Sequence, residues 1–159
     1  MIADVQVSRS ATTIKPKIVV NMLNRAKRPV LITGGGLLND ERLVEFVYEL
    51  QKRAGLEVIA TGGSSRALIE RDVNVRMAVF TLHYVTQFLT DLQEYDLSLF
   101  LGFRAPYYLS RMLSALKHFS NINTISICEW YQPHAKFSFP DFRKKEEYYK
   151  ALEEILEVL

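Results

Sequence analysis

Thiols are almost absent from this 159-residue chain, which holds a single cysteine, Cys128. One cysteine excludes an intrachain disulfide, and structural zinc sites and iron–sulfur clusters ordinarily draw on several thiolates, so any metal chemistry must come from elsewhere. Charge of one sign is equally scarce: 20 Lys and Arg against 18 Asp and Glu leave +2, with no basic block. The broad field that attracts nucleic acid or an anionic membrane is therefore missing. No apolar run approaches the roughly 20 residues that span a bilayer, and Met1 to Ser10 lacks the charged-then-apolar order of a signal peptide. These absences lead us to expect a cytoplasmic protein with no nucleic-acid and no membrane partner. What is present, 48% hydrophobic and 24% charged residues with seven Gly and five Pro, excludes disorder and fibre and suits one compact core.

Residues 1–14 are polar and β-branched without a sustained period, and read as an extended N-terminal arm to a single domain over 15–159. From Pro16 the pattern is helical, with Ile18, Val19, Met22, Leu23 and Ala26 as its apolar stripe and an end near Lys27, just ahead of Pro29. Val30 to Thr33 reads as a buried strand closed by three glycines. A helix starting at Asn39 or Asp40 presents Leu43, Val47, Leu50 and Ala54, and Gly55 caps it. Leu56 to Ala60 is a strand followed by Gly62 and Gly63, and Ser65 to Glu70 a short helix. Asn74 to Phe80 fits a strand or a loop. Thr81 caps a helix with Leu82, Val85, Leu89 and Leu92 inward. Leu97 to Leu101 is a strand ending at Gly102; Pro106 opens a helix that turns Leu109, Met112, Leu113 and Leu116 inward; Thr124 to Cys128 is a further strand. Glu129 to Phe142 has no helical period, and Lys145 to Leu159 is a closing helix carrying Tyr148, Leu152, Ile155 and Leu159 on one face. Strands alternating with helices along the whole chain predict a Rossmann-like three-layer α/β/α domain with a mostly parallel sheet.

Glycine placement carries the chemical signal. Gly34, Gly35, Gly36, Gly62, Gly63 and Gly102 directly follow predicted strands, which gathers them at one edge of the sheet. In open parallel sheets ligands bind beyond the carboxyl ends of the strands, where glycine lets a phosphate approach the backbone. Gly34, Gly35, Gly36, Thr61, Gly62 and Gly102 are thus candidate nucleotide-binding positions. Tight strand-to-helix turns also need glycine whatever the protein binds, and both readings stand. The loop lacks the G-x-G-x-x-G spacing, no acidic residue ends the second strand to hold a ribose (Glu57 begins it instead), and no P-loop occurs. Arg66 and Arg104 follow glycine turns, as phosphate ligands or as solvated surface. Cys128, at the end of an apolar strand, reads as a small core residue. His83, His118 and His134 show no pairing with one another or with a nucleophile and read as structural, while Glu146, Glu147, Glu153 and Glu154 form a solvated helix face.

Aromatic residues are unevenly spread, twelve of the 18 lying between Phe100 and Tyr149. Some must be core, but Tyr and Trp suit partner surfaces because each couples a large apolar face to a polar handle. Tyr107, Tyr108, Trp130, Tyr131, Phe137 and Phe139 are the candidate partner anchors.

Met112 to Phe119, Thr124 to Ile127 and the run Tyr131-Gln132-Pro133-His134-Ala135-Lys136-Phe137-Ser138-Phe139-Pro140, with Ala26 to Pro29, Asp96 to Gly102 and Tyr107-Tyr108, closely resemble the epsilon-subunit family of archaeal acetyl-CoA decarbonylase/synthase over most of Pro16 to Leu159. Lys27 to Leu31, Val58 to Gly62 and Leu99 to Gly102 also look like the central domain of thiamine-diphosphate enzymes, which in some members carries FAD. The G-D-G diphosphate motif of those enzymes is absent, as are the four zinc cysteines of the sirtuins that share this fold class. The resemblance implies a subunit without an active site, bound to the carbon monoxide dehydrogenase alpha subunit, two alpha with two epsilon, inside the larger complex. Its implied role is to stabilise the assembly or to assist electron transfer to FAD. A flavin- or nucleotide-binding electron-transfer module is the alternative.

Overall fold

The computed structural model describes residues 10–159 except 93, 104 and 105, and leaves the side chains of 92, 106–108 and 119 undescribed. Seven strands form one parallel sheet: β1 (Thr12–Thr13), β2 (Pro29–Thr33), β3 (Glu57–Thr61), β4 (Val75–Val79), β5 (Leu97–Leu101), β6 (Asn123–Ser126) and β7 (Phe137–Ser138). Among the described residues six α-helices accompany them: α1 (Pro16–Arg25), α2 (Glu41–Ala54), α3 (Ser64–Glu70), α4 (Leu82–Leu92), α5 (Pro106–Phe119) and α6 (Lys145–Val158), with a 3-10 turn over Gly35–Asn39. The three-layer Rossmann-like expectation is met. The stretch that fitted strand or loop is the edge strand β4. Of the expected arm, Thr12 and Thr13 join the sheet as β1, parallel to β7, and Ala11 and Ile14 on either side of it are buried.

Strand order β1-β7-β6-β5-β2-β3-β4 puts a reversal at the centre: the chain winds outward from β2 through β3 to β4, then returns to the other side of β2 as β5. Alternation along the strands fills two cores. Leu31, Val58, Leu99 and Ile125 face α1, α2, α3 and α6, while Val30, Ile32, Ile59 and Phe100 face α4 and α5. Among the described side chains the helix faces follow the apolar period with one correction: in α1, Ile18 is 41% exposed and Val20 is buried in its place; the side chain of Leu92, also expected inward, lies outside the described residues. A stripe of two adjacent positions on a helix is ambiguous by one residue, and docking against α6 decided it. Asp40 caps α2 by accepting the Leu43 N–H at 3.2 Å, and Gly55 ends that helix in the left-handed region at φ 68°.

The two ends of the β2–β5 pair are built differently. At the amino end, Asp96 accepts the Lys27 and Arg28 amides at 2.7 and 2.9 Å and so aligns the start of β2 with that of β5. Glu57, at the head of β3, pairs with Arg28 at 3.1 Å and Arg76 at 3.2 Å. At the carboxyl end the strands are joined by glycine. The Gly34 N–H donates to Leu101 O and the Gly36 N–H to Gly102 O, both at 2.8 Å. A Cβ on Gly34 or Gly36 would lie 2.6 Å from Gly102 O, and Gly102 itself sits at φ 80° with Leu37 against it. Gly35 is exposed, and a Cβ there would meet nothing.

Each end can be tested separately. Burial raises the Asp96 pKa, but its bonds from the Lys27 and Arg28 amides outweigh that and hold the carboxyl below the ordinary aspartate value. A depressed folded-state pKa contributes stability that is complete above the unfolded value, about 3.9, and is lost as pH falls through the folded one. Asp96→Asn is therefore expected to lose about 1–3 kcal/mol at neutral pH and to flatten the acid limb of the stability profile; urea titrations from pH 7 to 3 that run parallel for both proteins would contradict this. For the glycine seam, Gly36→Ala is expected to cost about 1–3 kcal/mol through overpacking, while Gly35→Ala stays within about 0.5 kcal/mol, both read as urea midpoints.

Candidate functional site

A cavity of about 880 Å³ opens beyond the carboxyl end of the sheet, where β2 and β5 part, on the face covered by α4 and α5. Volume and position both match small-molecule sites in doubly wound sheets, which run about 300–1,000 Å³ and sit at the strand reversal. Gly35, Gly36, Thr61 and Gly62 line it, as four of the six expected positions. Gly34 and Gly102 do not: their close packing forms the ridge behind it. The Thr61 hydroxyl is spent inside the wall, donating to Thr33 O at 2.7 Å, and Ser64 bonds Thr33 Oγ1 at 2.9 Å and Thr61 O at 2.8 Å.

The opposite wall comes from residues that the glycine pattern does not reach. Thr81, His83 and Thr86 arrive on α4 or just ahead of it, and Arg111 and Met112 on α5, with Phe80 at the rim and Phe103 beside the ridge. None of the described lining residues carries a carboxylate, whereas His83 and Arg111 bring basic groups. The α4 contribution is hidden in the sequence because it depends on where β4 ends, and periodicity leaves that stretch undecided. On the other side of the ridge a space of about 60 Å³ lies among Gly36, Gly102, Cys128, Glu129, Trp130 and Lys145. Asp40 at its edge accepts the Tyr149 hydroxyl at 2.6 Å and lies 3.5 Å from Lys145 Nζ. Burial, and then the bond to the Asp40 carboxylate and its charge, push the Tyr149 phenol above its ordinary range.

The remaining candidates separate cleanly. Cys128 is buried, and its thiol donates to Phe100 O at 3.4 Å; burial pushes its pKa up, so it is the core residue expected. Arg66 pairs with Glu70 at 3.1 Å on an exposed helix surface, and Arg104 lies outside the described residues. His134 corrects the expectation that no histidine meets a nucleophile, since its Nδ1 lies 3.2 Å from Ser114 Oγ. The two are brought together by the packing of the irregular segment on α5, which no spacing in the sequence announces. The contact is exposed. Among the described residues no group of three or more His, Cys, Asp or Glu is placed to hold a metal ion.

The aromatic candidates divide by burial. Phe139 is wholly buried, edge-on to Phe142 at 5.8 Å between ring centres, and is therefore core and unavailable to a partner. Tyr131 is half-buried, its hydroxyl donating to Ala11 O at 2.6 Å, and Phe137 is half-buried in β7. Trp130 is 49% exposed beside the smaller space. The side chains of Tyr107 and Tyr108 lie outside the described residues. Phe80, 90% exposed, is a surface aromatic that the sequence pattern does not single out, although its place after a possible strand end is an available signal.

Comparison with known proteins agrees with this architecture. A solved exopolyphosphatase-related protein from Bacteroides fragilis superposes with a TM-score of 0.53 at 14% identity, over 88% of this chain and 43% of that one, a likeness of fold alone. Among curated proteins, the acetyl-CoA decarbonylase/synthase complex subunit epsilon 1 of Archaeoglobus fulgidus is 55% identical, with 99% of this chain and 90% of that protein covered. The corresponding epsilon subunit of Methanocaldococcus jannaschii is 36% identical over 92% of this chain and 87% of its own length, and epsilon 1 of Methanosarcina barkeri is 32% identical over 94% and 90%. The family model for the CO dehydrogenase beta subunit/acetyl-CoA synthase epsilon subunit matches residues 1–156, and the chain belongs to that family.

Proposed function

We propose that this chain is a non-catalytic epsilon subunit of an acetyl-CoA decarbonylase/synthase complex, seated on the carbon monoxide dehydrogenase alpha subunit, two with two, and stabilising that assembly. Its relatives' names support the complex. The observation that carries the docking role is the pair of exposed aromatics at the carboxyl edge, Phe80 at 90% and Trp130 at 49%. A chain of net charge +2 has little long-range attraction with which to hold a large partner, so desolvated apolar anchors must supply most of the affinity.

The test is a set of alanine variants measured for affinity to the alpha subunit and for melting temperature. Phe80→Ala or Trp130→Ala is expected to weaken association at least tenfold, about 1.4 kcal/mol, with the melting temperature of the isolated subunit unchanged. Phe139→Ala, the core control, is expected to cost about 3–5 kcal/mol of folding stability. If both surface variants bind as the native chain does, the docking face lies elsewhere.

A second reading rests on the cavity: the subunit binds FAD there and assists electron transfer. What supports this reading is the volume of the space and the bare floor that Gly35 leaves in it. Flavin supplies one- and two-electron redox chemistry when bound; the chain's own part is to position it and exclude water. FAD titrated into the purified subunit is expected to bind and to lose binding in Gly35→Val. No binding up to millimolar FAD would end this reading.

A further inference from the structure

The geometry points to a ligand polarity in the cavity opposite to that of a glycine-cradled dinucleotide: we infer that it takes a phosphorylated ring compound whose phosphate is held by His83 and Arg111. This rests on the reading of the cavity as a ligand site and adds the charge that selects the ligand. Three observations converge.

The first is what the glycine turn does with its amides. In a dinucleotide site those N–H groups face the phosphates. Here Gly34 and Gly36 donate to Leu101 O and Gly102 O, and Leu37 donates back to Gly34 O at 3.3 Å. The Gly34 and Gly36 donors are spent on joining β2 to β5 and the Leu37 donor on closing the turn itself, and the absence of Cβ atoms on Gly34 and Gly36 serves that close approach.

The second is the sign of the lining. Among the described residues no Asp or Glu borders the cavity, and its basic groups, His83 and Arg111, stand on α4 and α5, two helices packed against each other. An anion entering this space meets no opposing carboxylate on the described walls.

The third is the missing ribose clamp. The acidic residue that holds a ribose diol belongs at the carboxyl end of the second strand of the fold. That place is Thr61, whose hydroxyl already donates to Thr33 O. The strand's carboxylate, Glu57, sits at its far end, committed to Arg28 and Arg76. Selection by sugar hydroxyls is thereby lost, and selection by phosphate remains, with Phe103 and Met112 as the apolar wall for a ring.

Matched pairs that differ only in phosphate test this: FMN against riboflavin, and AMP against adenosine, titrated into the full chain by fluorescence or calorimetry at low and high salt. We expect the phosphorylated member of at least one pair to bind tenfold or more tightly, with the preference shrinking as salt rises; the pair that shows it identifies the ring. Arg111→Gln and His83→Gln are expected to bring the two members together mainly by weakening the phosphorylated one, with melting temperatures confirming that both variants fold. Equal binding within both pairs overturns the inference while leaving the cavity a ligand site. A phosphate preference that survives when Arg111→Gln and His83→Gln are combined in one chain also overturns it, because the charge is then met elsewhere. Failure of all four compounds to bind at millimolar concentration overturns it together with the ligand reading.

Discussion

The closeness of β2 and β5 where they leave the sheet is the constraint on which the working edge depends. Two amide-to-carbonyl bonds of 2.8 Å hold the turn after β2 against the end of β5, and a side chain on Gly34 or Gly36 would collide with Gly102 O at 2.6 Å. Because the winding reverses between these two strands, the chain leaves them toward opposite faces. The joined turn becomes a ridge, with the large cavity on the α4 and α5 side and the small space beside Trp130 on the other.

Charge is distributed so that the two ends of the sheet do different work. At the amino end Asp96 ties two strand starts through backbone amides, and Arg28, Arg76, Glu57 and Glu94 neutralise one another. Glu57 is buried enough that desolvation opposes its ionisation, yet the bonds from Arg28 and Tyr95 and the charge of Arg76 hold its pKa below the usual range. That end is saturated. At the carboxyl end the described cavity lining has basic groups and no carboxylate, and Phe80 and Trp130 stand in solvent.

Family membership and geometry bear on different levels of the function. The likeness to epsilon subunits over nearly the whole chain identifies the family. The shared fold of the exopolyphosphatase-related protein carries no chemistry with it. Chemistry has to be argued from the site, and there the arrangement departs from the dinucleotide pattern at its centre: Gly34, Gly36 and Gly102 are spent on strand joining.

The linear chain by itself determined the alternation of strands and helices, the parallel sheet, the capping of α2 at Gly55 with its start narrowed to Asn39 or Asp40, and the inert character of Cys128. Each depends on local rules of period, capping and apolar continuity that act within a few residues. It also placed the glycines at one edge, correctly, since loops that close parallel strands emerge together. What those glycines are for was a tertiary decision: only the approach of Gly102, some 66 residues away in sequence from Gly36, distinguishes a phosphate cradle from a packing seam. The same holds for Phe139 and Trp130, neighbours in one irregular, aromatic-rich segment that became core and surface respectively, because burial there is set by β7 and α6 and not by any period of the segment itself. His83 and Arg111 carry no shared signal in sequence, and they meet at one cavity because α4 and α5 cover the same face of the reversed sheet.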